Sequence, residues 1–369
     1  MTVAVPSDEE SARLFGVPLA SNGIQPVWLD IDNGTDLPYW FMPSNLDPGY
    51  FTPLEAANRA RYRLRPGANE SMRTHFLAGV IEPFIGARQH SAGWLFTNLD
   101  QGVKPINVDL IGARRLVEFF FFVRIPGLRT DYREEDHEQI YGTDQIQDVD
   151  ESALREALER MPCCATTKNG SGLEDPLNFV LIGTQDEILP SFARTGWHMA
   201  EVLRPGAALR AFWSYFFGHQ YRYAPIGAVY AFDRRQDLSL QKTRETARER
   251  NHLRLWQTRL RFEGKPVWIG QISRDIGLSF GLKGIVTHEV DPDVDEARAY
   301  LLQDMLRSQR LAGFGWVKGV GSTPSSAPRH MADGTPFFTD GLRAVMTFGD
   351  EPTSLEEIRL FEWEGMPAR

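Results

Sequence analysis

The stretch HLRLWQTRLRFEGKPVWIGQISRD, residues 252–275, constrains the fold more than any other. Its apolar and polar residues alternate on both sides of a turn at EGK, which is the pattern of two antiparallel strands with unlike faces. A two-residue loop sets Phe262 opposite Lys265, and a four-residue loop sets it opposite Val267. Either register places His252, Arg254 and Trp256 on one face. Asp275 then falls opposite His252 in the first register and opposite Arg254 in the second, whereas a three-residue loop turns it to the other face.

A carboxylate beside an imidazole orients the ring and raises its pKa, as a general base requires. Beside an arginine it holds the guanidinium fork in place. The plainer account is a cross-strand charge pair contributing ~0.2–1 kcal/mol. The surrounding segment, residues 233–261, carries nine Lys and Arg against four Asp and Glu, a local excess of +5 in a chain of net charge -9. Such an excess suits an anionic ligand, because guanidinium groups offer paired donors to phosphate and carboxylate oxygens. Lys242, Arg244, Arg250 and Arg254, with Trp256, are the candidate substrate-binding residues; a cross-paired surface face is the competing account.

Length and charge bound the rest. At 369 residues the chain exceeds one ordinary core, so two domains are expected. The net charge argues against a nucleic-acid partner held by bulk charge. The only cysteines, Cys163 and Cys164, are neighbours; two small buried or linker residues are expected, since a bond between neighbours needs strained geometry. The start, MTVAVPSDEESARLFG, has no signal-peptide pattern, and the most apolar run, LVEFFFFVRIPGL, is too short and too charged to span a membrane. Its four phenylalanines suggest a strand buried on both faces.

The expected class is α+β. Short segments separated by SNG, DNG, NLDPGY and TNLDQG, interrupted by helical stretches, suggest a β-sandwich-like domain with helical insertions at 16–130. An acidic, helical linker is expected at 131–175. Strands mixed with helices from 176 to 369 suggest an α+β domain on a mixed or antiparallel sheet with flanking helices.

The stretch THEVDPDVDEARAYLLQDM, residues 287–305, raises a metal or acid/base reading that only partly survives. A helix-loop-helix calcium loop counted from Asp291 would need glycine where Glu296 stands and glutamate where Leu302 stands. A helix start explains more: Asp291 before Pro292, or Asp293 with Glu296, caps it; Val294, Ala297, Leu301 and Met305 form the buried stripe, and Asp295 faces solvent. His288 remains, together with Asp291, as a candidate catalytic group beside His252 and Asp275. These four lack the compact spacing of a metal site, so no metal is assigned and the cofactor stays unknown. No G-x-S-x-G elbow, P-loop or H-E-x-x-H occurs, and Ser322, Ser325 and Ser326 near His330 read as a flexible loop.

Five ordered blocks, PLNFVLIGTQDEILPSFARTGWHMAE, APIGAVYAFDRRQDLSLQK, ARERNHLRLW, GKPVWIGQISRD and THEVDPDVDEAR, resemble the LssY C-terminal domain family over about 176–348. The resemblance implies a bacterial protein of undefined activity. Some members extend membrane proteins with phosphatidic-acid-phosphatase-like domains, which implies the cell envelope or periplasm if an export signal was removed, and otherwise the cytoplasm. Two expectations follow. One is a hydrolase acting on an anionic ester, a small molecule or lipid headgroup, with His252 or His288 moving the proton. The other is a non-catalytic lipid-, glycan- or protein-binding module, with peripheral membrane contact through AFWSYFFGHQYRY and no transmembrane segment.

Overall fold

The computed structural model describes residues 1–61, 66–100, 103–125, 140–200, 227–243, 250–280 and 286–365, and the chain divides into two compact units, Met1–Leu128 and Arg129–Arg369. Mixed helices and several sheets make the class α+β. No helix among the described residues is long and apolar enough to cross a membrane.

The first unit builds two sheets. One runs in the order β1 (Thr2–Ala4), β2 (Ile24–Asp32), β5 (His90–Asn98); the other runs β4 (Phe84–Ile85), β3 (Tyr39–Phe41), β6 (Val103–Gly112), β7 (Arg115–Arg124). Alternation turns Val27, Leu29 and Leu95 of one sheet and Phe41, Ile106 and Val108 of the other into a shared core. The reverse face of the first sheet is covered by α1 (Asp8–Phe15), α3 (Pro53–Arg59) and α4 (Pro66–Ala78), while α2 (Pro43–Leu46) is a single turn. Phe76 of α4 stacks on Phe96 of β5 at 4.9 Å. Reciprocal Ser7–Glu10 and Thr52–Glu55 capping boxes start α1 and α3.

The phenylalanine run departs from expectation. It forms β7, an edge strand that pairs only with β6 among the described residues, and none of its four phenylalanines is fully buried. Val117, Phe121 and Val123 pack inward. Phe119 is exposed, and Phe120 meets Phe122 edge-on at 4.8 Å.

The second unit is organised by a ten-stranded mixed sheet. Its order is β12 (His198–Met199), β15 (Leu238–Thr243), β16 (Arg250–Phe262), β17 (Lys265–Phe280), β11 (Phe179–Ile182), β22 (Leu342–Phe348), β19 (Leu311–Lys318), β23 (Arg359–Phe361). In addition β8 (Gln147–Val149) pairs with β16 and β18 (Val286–Val290) with β17. Smaller sheets join β10 (Leu173–Pro176), β9 (Cys164–Thr166), β13 (Tyr230–Ala231) and β14 (Arg234–Arg235), and pair β20 (Arg329–His330) with β21 (Pro336–Phe337). The helices are α5 (Glu151–Arg160), α6 (Gln185–Arg194) and α7 (Val294–Arg307). The four residues of β11 are all buried because the strand lies between β17 and β22.

From α5 onward, the segment read as a linker packs into this unit's core. Leu154 and Leu158 of α5 and Ala165 of β9 pack with Trp256, Ile269 and Val345. Burying that apolar stripe ties the segment to the sheet, whatever its acidic composition suggests. Cys164 is buried as expected, but the two neighbours are joined by a disulfide, beside Val294, Met331 and Phe337 and with the Arg329 guanidinium 3.4 Å from the Cys163 sulfur.

The hairpin follows neither expected register along its whole length. Its turn is the two-residue Glu263-Gly264, with Phe262 opposite Lys265, but the ladder shifts between Gln257 and Arg261. Residues 258–260 there oppose only Val267, so β16 carries two extra residues. Thr258 donates to the Val267 carbonyl at 2.8 Å and its oxygen accepts from the Leu260 N–H at 3.1 Å, which satisfies the bulge. Two extra residues preserve the face and move the partner by one pair. Asp275 therefore lies opposite Arg250, and His252 lies opposite Ser273.

Candidate functional site

Three rows cross the adjoining strands β15, β16 and β17 on one face of the sheet: Thr243, Arg250 and Asp275; Gln241, His252 and Ser273; Ser239, Arg254 and Gln271. All but Thr243 are buried. On the opposite face, Leu240, Leu253 and Ile272 form an apolar row. A sheet with one polar interior face must satisfy each of those groups by partners rather than by packing.

Most find partners. Arg250 donates through Nε to Asp275 Oδ2 at 2.9 Å and through Nη1 to Gln241 Oε1 at 2.7 Å. Asp175, from β10, serves two strands: its Oδ2 accepts from Arg254 Nη1 at 3.3 Å and its Oδ1 accepts from Ser273 Oγ. Arg254 also donates to the Gly227 carbonyl at 3.1 Å. Among the described residues, Gln271 Nε2 makes no hydrogen bond, and His252 Nδ1 makes none, standing 3.4 Å from Asp275 Oδ1.

Burial dominates the electrostatics. It pushes the His252 imidazole down to about 4; Asp275 and Asp175 favour the protonated ring, Arg254 and Arg250 oppose it, and the net is a neutral imidazole at pH 7. Burial likewise lowers Arg254 from its ordinary value, against the attraction of Asp175. Glu174, next in sequence to Asp175, is raised by burial and then by Asp175 itself. Two arginines and two aspartates leave the cluster balanced in charge around a neutral ring.

Of the residues expected from sequence, His252, Asp275, Arg250 and Arg254 come together. Lys242 does not: it projects from the other face of β15, where Nζ donates to Asp304 Oδ2 of α7 at 2.7 Å, an oxygen that also accepts from Trp197 Nε1 at 2.9 Å. Strand alternation separates it from Gln241 and from the arginine row. Trp256 shares their face but is buried in the apolar core. Asp291 turns the chain, accepting from the Asp293 N–H at 3.0 Å while its own N–H donates to the Arg274 carbonyl at 2.8 Å.

His288 pairs through its backbone with Leu278 on β17. Its side chain, Arg244, and the aromatic stretch 211–223 lie outside the described residues. The helix cap is Asp293, which accepts from the Asp295 N–H at 3.2 Å. Asp295, expected in solvent, instead accepts from Thr339 Oγ1 at 2.8 Å and the Asp340 N–H at 2.7 Å beside Arg298. Val294, Ala297, Leu301 and Met305 form the buried stripe as expected.

The basic segment is largely cross-paired. Arg234 meets Asp237 through two hydrogen bonds of 2.7 and 2.9 Å, Arg261 meets Asp148 through two of 2.6 and 2.7 Å, and Arg259 lies over the Tyr141 ring at 5.3 Å. Ser322, Ser325 and Ser326 are exposed in their loop. No group of His, Cys, Asp and Glu among the described residues is arranged to hold a metal ion.

Ser239 and Gln241 on β15, Ser273 and Gln271 on β17, and Asp175 are buried members of the cluster that were not among the expected site residues. Ser273 and Gln271 stand two and four residues before Asp275, so strand periodicity alone marked them. Asp175 had no such signal, because β10 reaches the cluster from another sheet.

Among known families, the one described as LssY C-terminus matches residues 155–342. No curated protein and no solved structure matches the chain.

Proposed function

The chain belongs to the LssY C-terminus family, and from that premise we propose that its second unit binds an anionic small molecule, a phosphate- or carboxylate-bearing ester, against the Arg250–His252–Arg254 row and hydrolyses it with His252 as the proton-transfer group. The observation that carries this reading is that, among the described residues, the buried atoms Gln271 Nε2 and His252 Nδ1 make no hydrogen bond, within a face whose arginines are hydrogen-bonded. A buried donor left unpaired costs ~1–3 kcal/mol, and an oxygen-rich ligand relieves that cost. Arg254, beside Gln271 in the ladder, and Arg250 supply charge-assisted donors to the same ligand.

In the hydrolytic step a water attacks the ester carbon or phosphorus and passes its proton to the neutral His252 ring, which returns it to the departing alkoxide. Asp275, 3.4 Å from Nδ1, stabilises the imidazolium that forms between these events. A ligand anion close to the ring also raises its low pKa toward the working range. An envelope location accompanies this proposal and rests on the membrane-associated company that the family keeps.

A second reading is binding without catalysis. It is favoured by the aspartate partners that both arginines already have, which hold the row rigid and leave it neutral. One experiment separates the two: the full chain is assayed on a panel of phosphate and carboxylate esters, with ligand binding followed by calorimetry, for the native protein and for His252→Gln and Arg254→Gln. Hydrolysis is expected in the native protein, a drop of ~10²–10⁴ in kcat for His252→Gln, and a weakened affinity for Arg254→Gln. Binding without turnover supports the module reading. Neither binding nor turnover on any ester removes both.

A further inference from the structure

Far along the chain from this cluster, the outward face of the second sheet of the first unit carries an apolar row that the core does not use. Phe84 of β4, Trp40 of β3, Ile111 of β6 and Leu116 of β7 are successive cross-strand partners, so the row crosses all four strands. Their neighbours in sequence, Ile85, Tyr39, Phe41 and Leu110, point the other way and are buried. Trp40 is 54% exposed, Phe84 49% and Ile111 42%, and the two rings lie 5.3 Å apart. Leu37, in the loop before β3, is 44% exposed.

The row sits at the end of the sheet where β6 turns into β7, and that turn is Ala113-Arg114, followed by Arg115 at the start of β7. Arg114 and Arg115 are both exposed, and neither pairs with a carboxylate among the described residues. The acid beside Leu37, Asp36, is neutralised by Arg88 at 2.8 Å. In a chain of net charge -9, aromatic and aliphatic side chains next to two arginines without a carboxylate partner among the described residues are a local exception.

We propose that this end of the sandwich docks on a membrane surface bearing anionic lipid, with Trp40, Phe84 and Ile111 entering the headgroup boundary and Arg114 and Arg115 meeting lipid phosphates. Two arguments select this occupant. Half-exposed side chains of these sizes present roughly 300–400 Å² of apolar surface, well short of the ~800 Å² per partner that a stable protein interface buries, yet suited to reversible interfacial anchoring. The flanking arginines complement a negative leaflet and would oppose each other across a self-paired copy of the same patch. Tryptophan favours this depth because its ring is apolar and its N–H stays near water.

The test uses the full chain in co-sedimentation with phosphatidylcholine vesicles, with and without phosphatidylglycerol. The native protein is expected to bind the anionic vesicles and to bind the neutral ones weakly. Trp40→Ser with Phe84→Ser is expected to weaken binding at least tenfold, and Arg114→Ser with Arg115→Ser to remove the preference for anionic lipid, roughly a 10- to 30-fold loss. Leu355→Ser, an exposed leucine of the second unit, is the control and should bind as the native protein does. A circular-dichroism spectrum checks each fold, and the arginine pair on the exposed turn keeps the test alive if the aromatic pair fails to fold. No binding by the native protein overturns the proposal, as does binding that all the variants retain. Concentration-dependent self-association abolished by the same variants, without vesicle binding, replaces it with a contact between copies.

Discussion

Asp275 stands directly opposite Arg250 across the β16–β17 ladder and accepts its Nε at 2.9 Å, with both side chains buried. Removing one member of a buried pair leaves the other charge without compensation, at a cost of roughly 3–5 kcal/mol. Asp275→Asn is therefore expected to lower the denaturation midpoint substantially, and the double change with Arg250→Met to recover much of the loss. Chemical denaturation of the three proteins checks this; an additive double variant would show that the two residues do not act as a pair.

Stability is also expected to fall in mild acid. His252 titrates at about 4 in the folded chain and near its ordinary 6.5 when unfolded, so between these values the unfolded state takes up a proton that the native state does not. No loss applies above pH ~6.5; it grows as pH falls toward 4 and reaches roughly 3 kcal/mol at the bottom of that window. Denaturation curves at steps between pH 7 and 4 measure it. In His252→Gln the decline should be shallower by about that amount, and an unchanged slope would mean the ring is not buried neutral.

Lys242 and Trp256 are expected to matter for folding and not for ligand affinity. Lys242→Met strips Asp304, itself buried, of its ammonium partner and should cost ~3 kcal/mol. Trp256→Ala opens the core beside Leu154 and Ile269 and should cost ~3–5 kcal/mol. Calorimetric titration of a bound phosphate or carboxylate ester is the check: a large change in affinity for a still-folded Lys242→Met would return that lysine to the site.

Arg343 on β22 is wholly buried with no carboxylate partner among the described residues. It donates instead to the carbonyls of Leu158, Met161, Pro162, Leu177 and Gly319, and burial pushes its pKa down to about 10. A cation at the C-terminal end of α5 also meets the negative pole of that helix. Arg343→Lys keeps the charge but supplies a single ammonium where a planar fork reached five oxygens, and should lose at least ~3 kcal/mol by thermal denaturation. A near-native melting point would show that α5 is held by its apolar stripe alone.

Periodicity and cap chemistry are local properties, and they were legible in advance. Alternation put His252 and Arg254 on one face of a strand, the spacing of Val294, Ala297, Leu301 and Met305 gave the buried side of α7, and EGK marked the hairpin turn without fixing its loop length. The ordered blocks identified the family of the second half, which the match over 155–342 bears out. What escaped depends on distant partners. A two-residue bulge, satisfied by Thr258, decided that Asp275 meets Arg250, and no turn rule foresees a bulge five residues upstream of the turn.

Only the tertiary structure brought Asp175 from a second sheet to Ser273 and Arg254, sent Lys242 to Asp304, and placed the phenylalanines of β7 at a sheet edge. The reason is physical. A residue's own neighbours set its dihedral preferences and the face it occupies, whereas which group pays back its desolvation is set by chain that returns tens to hundreds of residues later, when packing closes the interior.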